Sequence, residues 1–449
     1  MEASPSSGWE GELERWLEPF LTCLSREAQR RWAPVYLKGL ILPGERKSVE
    51  PMAERVAPGD VQQLHHFVPA SPWAAAPLQA VLAREAHRLV GGPEAVLVVD
   101  DTALPKKGRH SVGVARHYCG CLGKRANGQV LVSLTLARGE VPVPVGLRLF
   151  LPDAWTDDPD RCARAGVPEE CRRALAKAEI ALAEIDRVMA TGVRFGIVLA
   201  DAGYGGSAAF RKGLSARGLP WAVGIAKVQN VYPSAVELLW PVARTGRPRN
   251  HPVPSENPRA AEAVLEGAAW HRIAWRRGTK GPLAAEFAAV RVRPAEGDQL
   301  RNAWHLPGDE VWLVGERRPS GERKYYLANL PAEVPLERLA ALIKARWVCE
   351  QAHQQLKEEL GLGHFEGRSW RGLHHHALLT MIAFAFLQHL RLGGKKPGRS
   401  SRSQARAATP ADPAGGTPAP SCRPRPHRPA LPALRAALRP PPPALNVAE

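Results

Sequence analysis

Two apolar runs that each end on aspartate constrain this chain more than anything else in it. Residues 95–104 read AVLVVDDTAL, and residues 193–205 read VRFGIVLADAGYG. A short continuous apolar run bounded by turn residues is the mark of a buried strand. An aspartate at the end of such a strand usually caps a turn, and either one taken singly carries that plain meaning.

The patterns between and after these runs narrow the fold. RHYCGCLGKRANGQVLVSLTLARG reads as two strands around Asn127-Gly128, a strong hairpin signal, and VPVPVGLRLFLP adds another strand. Residues 168–190 are rich in Ala, Glu and Arg and read as a helix. VRFGIVLAD is a strand, SAAFRKGLSARG a short helix and PWAVGIAK a strand. An antiparallel run followed by helix, strand, helix and strand describes an α/β chain with a ribonuclease H-like mixed sheet. That order sets the two acid-tipped strands side by side, so Asp101 and Asp201 are expected to end near each other. Strand alternation sends Asp100 and Asp101 to opposite faces, so only one of them can join a site.

A third acid comes from residues 336–362, LERLAALIKARWVCEQAHQQLKEELGL, which run on good helix formers to Gly361 and Gly363. Arg346, Glu350 and Lys357 stand at offsets of four and seven, within one narrow stripe of that helix. Taken alone, the stripe reads as a surface ion-pair ladder. Together with two strand-end aspartates, Glu350 completes three carboxylates, a set able to hold a pair of divalent cations.

In this order the motifs resemble a known family. Arg346, Glu350 and Lys357 match the R-E-K part of the Y-R-E-K signature of bacterial insertion-sequence DDE transposases. DDTALPKKG followed by HSVGVARHYCG resembles the branch that carries DDT-x-x-x-KKG, LADAGYG its second-aspartate segment and LGLGHFEGRSWRG its post-glutamate segment. The resemblance spans about residues 10–392, with one departure: Ile343 stands where the signature has tyrosine. It implies that Asp101, directly before the threonine, is the first acid. Asp101, Asp201 and Glu350 are then the catalytic and metal-binding residues, with two Mg²⁺ that Mn²⁺ can replace. Arg346 and Lys357 would hold DNA phosphates. It further implies cut-and-paste DNA transposition, cleavage at inverted terminal repeats and strand transfer into target DNA by a homodimer assembled on DNA.

Domain organisation follows from shifts in pattern. Residues 1–90 read as a helical domain, with short helices near 48–56, 59–67 and 71–89 that suit either a helix-turn-helix-like DNA reader or a packing domain. Residues 91–226 form the first part of the core. Residues 227–325 do not continue it and read as a β-rich insertion, where Arg272, Arg276, Arg277 and Lys280 offer a basic surface to DNA or simply a solvated face. Residues 326–392 return to the core with the glutamate helix and the helix after it. Residues 393–449 hold ten Lys or Arg against two acids and thirteen of the forty-two prolines, so a disordered tail is expected.

A net charge of +17 points to a polyanionic partner, double-stranded DNA before an anionic membrane. No signal pattern opens the chain and residues 377–390 are too short an apolar helix to span a bilayer, so a cytoplasmic, nucleoid-associated protein is expected. Seven scattered cysteines fit a reducing compartment, and Cys119 and Cys121 lack a second pair at zinc spacing. Three adjacent histidines, His374 to His376, point in different directions on a helix; one is expected to face the core or DNA and the others solvent. Trp155 is expected in the core. Two other functions compete: a non-catalytic DNA-binding regulator descended from a transposase, and a structure-selective nuclease on the same fold. Nucleotide-binding glycine loops are missing from the sequence.

Overall fold

The computed structural model describes residues 8–240, 252–278, 281–299 and 305–393. The tail beyond Gly393, Lys280 and residues 245–251 of the turn-rich segment lie outside the described residues.

The first acid-tipped run is strand β1 (Gly92–Pro105) and the second is β5 (Phe195–Ala200), paired in parallel with Val99 opposite Ala200. On its other edge β1 pairs antiparallel with β3 (Lys124–Arg138), which also takes β2 (Ala115–Cys119) and β4 (Val141–Leu149). β6 (Trp221–Ile225) runs parallel to β5. One register step beyond Val99 and Ala200 come Asp100 and Asp201, so the sheet itself places these two acids side by side.

The β2–β3 connection is not at Asn127-Gly128. The chain turns through Gly120–Leu122 and Gly123, whose φ of 63° only glycine adopts without strain. Asn127 and Gly128 lie inside β3, opposite Arg116 and Ala115. Asn127 Nδ2 donates to the carbonyls of Lys106 and Gly108, and a Cβ on Gly128 would stand 2.8 Å from the Leu104 carbonyl oxygen. The pair serves close strand contact and not a turn.

The expectation that residues 227–325 leave the fold is also corrected. Their strands β7 (Asn230–Pro233), β8 (His271–Gly278), β9 (Gly281–Gln299), β10 (Val311–Arg317) and β11 (Arg323–Ala328) extend the same sheet. β11 pairs antiparallel with β6, and β10, β9 and β7 follow in that order, with β8 on β9. Without β11, β6 would carry a bare edge of backbone donors and acceptors. Among the described residues the result is a mixed sheet of thirteen strands.

Helices cover both faces. The N-terminal region resolves into α1 (Gly8–Leu21), α2 (Glu27–Ile41), α3 (Val49–Val56), α4 (Val61–Phe67) and α5 (Ala75–Val90). The helix expected over 168–190 is α6 (Lys177–Met189), preceded by a short turn at Glu169–Cys171, and α7 is Ala208–Ala216. The span 336–362 is two helices, α8 (Leu336–Lys344) and α9 (Trp347–Glu358). Between them Arg346 stays helical at φ −56° and ψ −27°, but the bonds shorten to three-residue spacing, Val348 N to Ala345 O and Cys349 N to Arg346 O. Neither proline nor glycine marks the break.

Alternation along β1 assigns its two faces. Val96 and Val98, with Ile197 and Leu199 of β5, pack on Leu339, Ile343 and Val348 of α8 and α9. Leu97 and Val99 join the larger core, which takes Ile185 of α6 and Phe210 of α7. Helix α10 (Trp370–Gly393) is buried along nearly its whole length from Trp370 to Gln388, the behaviour of a helix apolar on all sides. The N-terminal helices fold onto it: Tyr36 bonds His376 and Trp73 stacks on His375 with centroids 3.4 Å apart. Among the described residues no helix is long and apolar enough to cross a membrane.

The turn after β5 is seated by glycine contact. A Cβ on Gly205 would lie 2.0 Å from the Gly224 carbonyl oxygen of β6. Gly205→Ala is therefore expected to cost about 1–3 kcal/mol as a lowered urea midpoint. Gly267→Ala, whose added carbon meets nothing within 4 Å, should leave the midpoint in place.

Candidate active site

Arg346 is the hub of the site. Its Nη1 lies 2.5 Å from Asp100 Oδ2 and its Nη2 lies 2.6 Å from Glu350 Oε1, so one guanidinium bridges the strand acid and the helix acid. The tightened turn between α8 and α9 puts Arg346 at the start of α9, one helical turn before Glu350. Asp201 caps the turn that follows β5: its Oδ1 accepts from the backbone of Gly203 and Tyr204. Among the described residues its other oxygen takes no hydrogen bond. Glu350 is 61% exposed and Asp100 13%, so the set opens to solvent at one end and is walled at the other.

Asp101 does not join this set. It follows the alternation of Leu97 and Val99 to the opposite face of β1, where Tyr204 Oη donates to its Oδ1 at 2.5 Å and Lys177 of α6 pairs with its Oδ2. Asp100 shares the parity of Val96 and Val98 and faces α9. Arg346 thus bridges Asp100 and Glu350 and lines one cleft with Asp201, while Asp101 turns to the other face of β1. Burial raises the Tyr204 pKa, and the neighbouring Asp101 raises it further, so the phenol stays a donor.

The electrostatics of Asp100 fit a cation. Burial raises its pKa to about 6 against the pull of Arg346, and the charges of Asp201 and Asp101 push the same way. A carboxylate this reluctant to ionise beside two further acids, all hard oxygen donors, suits a divalent ion. Thr102, two residues on along the same strand, keeps a buried hydroxyl with no hydrogen-bond partner among the described residues.

A cleft of about 740 Å³ opens from the site, lined by Asp201, Arg346, Tyr326, Lys227, Arg323 and Lys324. Lys227 and Lys324 have acidic neighbours, Glu262 and Glu322, at 3.3 and 3.4 Å, contacts that solvent screens heavily. Behind the cleft a buried Glu316 receives Lys344, Arg318 and Tyr326. Burial works against its charge, but these three donors outweigh it and hold the pKa below the usual carboxylate value. This cluster braces α8 against β10 and β11. Ile343, at the signature tyrosine position, is buried in the apolar layer and offers no polar group to the site.

Other candidates are placed elsewhere. Lys357 lies seven residues along α9 from Glu350 and is half-buried. Lys106 donates to the Phe365 carbonyl at 2.7 Å, a structural tie, while Lys107 is exposed. Arg276 stacks on Trp347 at 3.8 Å with Glu140 beside it, and Arg272 and Arg277 remain exposed. Trp155 is buried and donates to the Val114 carbonyl, as core packing requires. None of the three histidines projects freely into solvent. His374 accepts from the Leu149 amide, His375 pairs with the Val68 carbonyl, and His376 bridges Tyr36 and the Gly361 carbonyl.

Sequence reasoning missed the partners of the acids. Lys177 and Tyr204 on Asp101, and Cys349 and His353 beneath Asp100, come from elements whose facing is set by packing. The one legible signal was parity: Asp100 and Asp201 become neighbours once β1 and β5 are paired in parallel.

The family described as DDE superfamily endonuclease has a sequence model that matches residues 19–282 of this chain. The chain belongs to that family. Within this endonuclease, Asp100, Asp101 and Asp201 fall inside the matched residues and Glu350 beyond them. A probable transposase for insertion sequence element IS701 from Microchaete diplosiphon is 26% identical over 329 residues, which are 73% of this chain and 74% of that protein. A cryo-EM structure of a piggyBac transposase synaptic complex with hairpin DNA overlaps 88% of this chain and 75% of its own, at 8% identity. Its TM-score of 0.40 is too low to bear on fold or function.

Proposed function

We propose that this DDE endonuclease is a DNA transposase that cleaves at the ends of an insertion sequence and joins the freed ends to target DNA. The observation that carries the reading is the convergence of Asp100, Asp201 and Glu350 around Arg346 at the mouth of a basic cleft. The 26% identity to an insertion-sequence transposase supports it. The strand order β4-β3-β1-β5-β6, with acids at the ends of two neighbouring parallel strands, supports a ribonuclease H-like core.

Asp100, Asp201 and Glu350 would hold two divalent cations, Mg²⁺ with Mn²⁺ able to replace it. Such ions, when bound, acidify the attacking water and take up charge on the leaving oxygen. Arg346 neutralises Asp100 and Glu350 while the site waits, and its planar fork is suited to a phosphate once those acids have other partners. Lys357 adds a point charge further along α9. Lys227, Arg323 and Lys324 line the path for the backbone of the bound strand. The freed 3′-hydroxyl is the nucleophile for joining, and a homodimer on paired ends brings two such sites together. The helices α3 to α5 supply the reader of the inverted terminal repeats, although α5 also packs on α10.

Full-length protein with a duplex carrying the inverted terminal repeat tests this. Nicking at the repeat boundary in Mg²⁺ is expected, with none after chelation, and Glu350→Gln should bind the duplex without nicking it. Equal nicking of unrelated branched DNA returns the structure-selective nuclease. Repeat binding without any nicking by the unaltered protein returns the regulator.

A further inference from the structure

The inner face of α9 carries a pair of groups that DNA cleavage does not use. Cys349 and His353, one turn apart and both buried, face β3 directly beneath Asp100. Cys349 Sγ lies 3.4 Å from His353 Nε2, and the ligand atoms of Asp100, Cys349 and His353 all fall within 4.8 Å of one another. Among the described residues no other group of three His, Cys or acidic side chains gathers so closely. Around them stand Thr135 Oγ1 at 3.4 Å from the sulfur and Ser133 Oγ at 2.7 Å from the imidazole nitrogen.

We propose that Asp100, Cys349 and His353 form a binding site for a soft divalent cation of the zinc class, which switches the nuclease off when filled. This rests on the reading of Asp100 as a catalytic acid. Tetrahedral zinc, with bonds of about 2.3 Å to sulfur and about 2.0–2.1 Å to nitrogen, sets those two ligands about 3.6 Å apart. The observed sulfur–nitrogen spacing needs little adjustment. Mg²⁺ prefers oxygen and passes a thiol and an imidazole by, whereas Zn²⁺, Cd²⁺ and Co²⁺ take both. On binding, the Cys349 thiol gives its proton to solvent as the metal–sulfur bond forms, and no electron moves. Thiolate and carboxylate then match the two positive charges of the ion, and Arg346 is left to Glu350. The bond from Ser133 to His353 Nε2 gives way to the metal, while Thr135 stays beside the sulfur and Ser133 keeps its bond to the Asp100 carbonyl as supporting shell. The consequence for the reaction is competition: Asp100 cannot ligate the soft ion and still serve the hard ions that cleavage uses.

Two measurements on the full chain test the proposal. Co²⁺ added to metal-free protein should give a thiolate charge-transfer band and tetrahedral visible bands, removed by Zn²⁺ and absent from Cys349→Ser and Cys349→Ala. In nicking assays with saturating Mg²⁺, equimolar Zn²⁺ should slow the unaltered protein, while both variants keep their Mg²⁺ rate and need about tenfold more Zn²⁺ or beyond for the same inhibition. A cobalt spectrum unchanged in both variants, or equal zinc sensitivity, overturns it. A protein that never nicks yet shows the Cys349-dependent spectrum loses the transposase reading and keeps the site. One that nicks without that spectrum does the reverse.

Discussion

Asp100→Ala should lose metal-dependent nicking by about a thousandfold or more, while Asp101→Ala should stay within about tenfold of the unaltered rate. A metal-ligating carboxylate supports several kcal/mol of transition-state charge stabilisation, and at 1.36 kcal/mol per decade that is about three orders of magnitude. Asp100 stands on the face of Glu350 and shares Arg346 with it. Asp101 points away, into Tyr204 and Lys177. Its loss strands a buried phenol and a half-exposed ammonium, so the cost of Asp101→Ala falls on folding, about 1–3 kcal/mol, read as a lowered urea midpoint. Asp101→Asn keeps an acceptor for Tyr204 and should recover part of that loss. Asp100→Asn keeps the shape of the side chain and removes its charge, so it should fold normally and still fail to nick. The opposite pattern, a dead Asp101→Ala and an active Asp100→Ala, would mean that β1 presents its other face to the reaction.

The choice between these neighbours shows where sequence stops. AVLVVDD is apolar at every position before the acids because β1 is covered on both faces, and a strand of that kind gives no alternation from which to tell its sides. Once β5 pairs with it in register, Asp201 has a partner and the partner is Asp100. Asn127-Gly128 misled for a related reason. Glycine next to asparagine suits a tight turn, but it also suits a strand that must let another backbone approach, and only the Leu104 carbonyl decides between the two. The central strands and α10 were legible as continuous apolar runs, and the N-terminal helices through the period that one-sided burial writes into their residues. The break at Arg346 was not, since it lies in a run of good helix formers and is expressed only in hydrogen bonds. The strands of the insertion were legible as strands, yet their joining β6 depended on a long-range pairing that no local pattern carries.

Four histidines whose settings the sequence left open make the fold acid-sensitive. Burial lowers the pKa of His353 and His374 to about 3 and of His375 and His376 to about 4. Each is therefore neutral when folded and has an ordinary pKa, about 6.5, when unfolded. Above that value they do not affect stability. Below it the unfolded chain takes up protons that the folded chain refuses, so stability falls as pH falls, until the folded-state values near 4 are reached. Asp100 works the other way, because its raised pKa favours the folded chain as pH drops through about 6. Together these groups should remove roughly 6 kcal/mol between pH 7 and pH 5, comparable with the whole stability of a typical domain, about 5–15 kcal/mol. Urea midpoints recorded at pH 7.5, 6.5 and 5.5 should fall modestly over the first step and sharply over the second. His353→Gln should lessen the drop by about one proton. A midpoint that stays level to pH 5 would mean that these imidazoles accept protons within the folded chain, which their burial opposes more strongly than the carbonyls of Trp370, Val68 and Gly361 favour it.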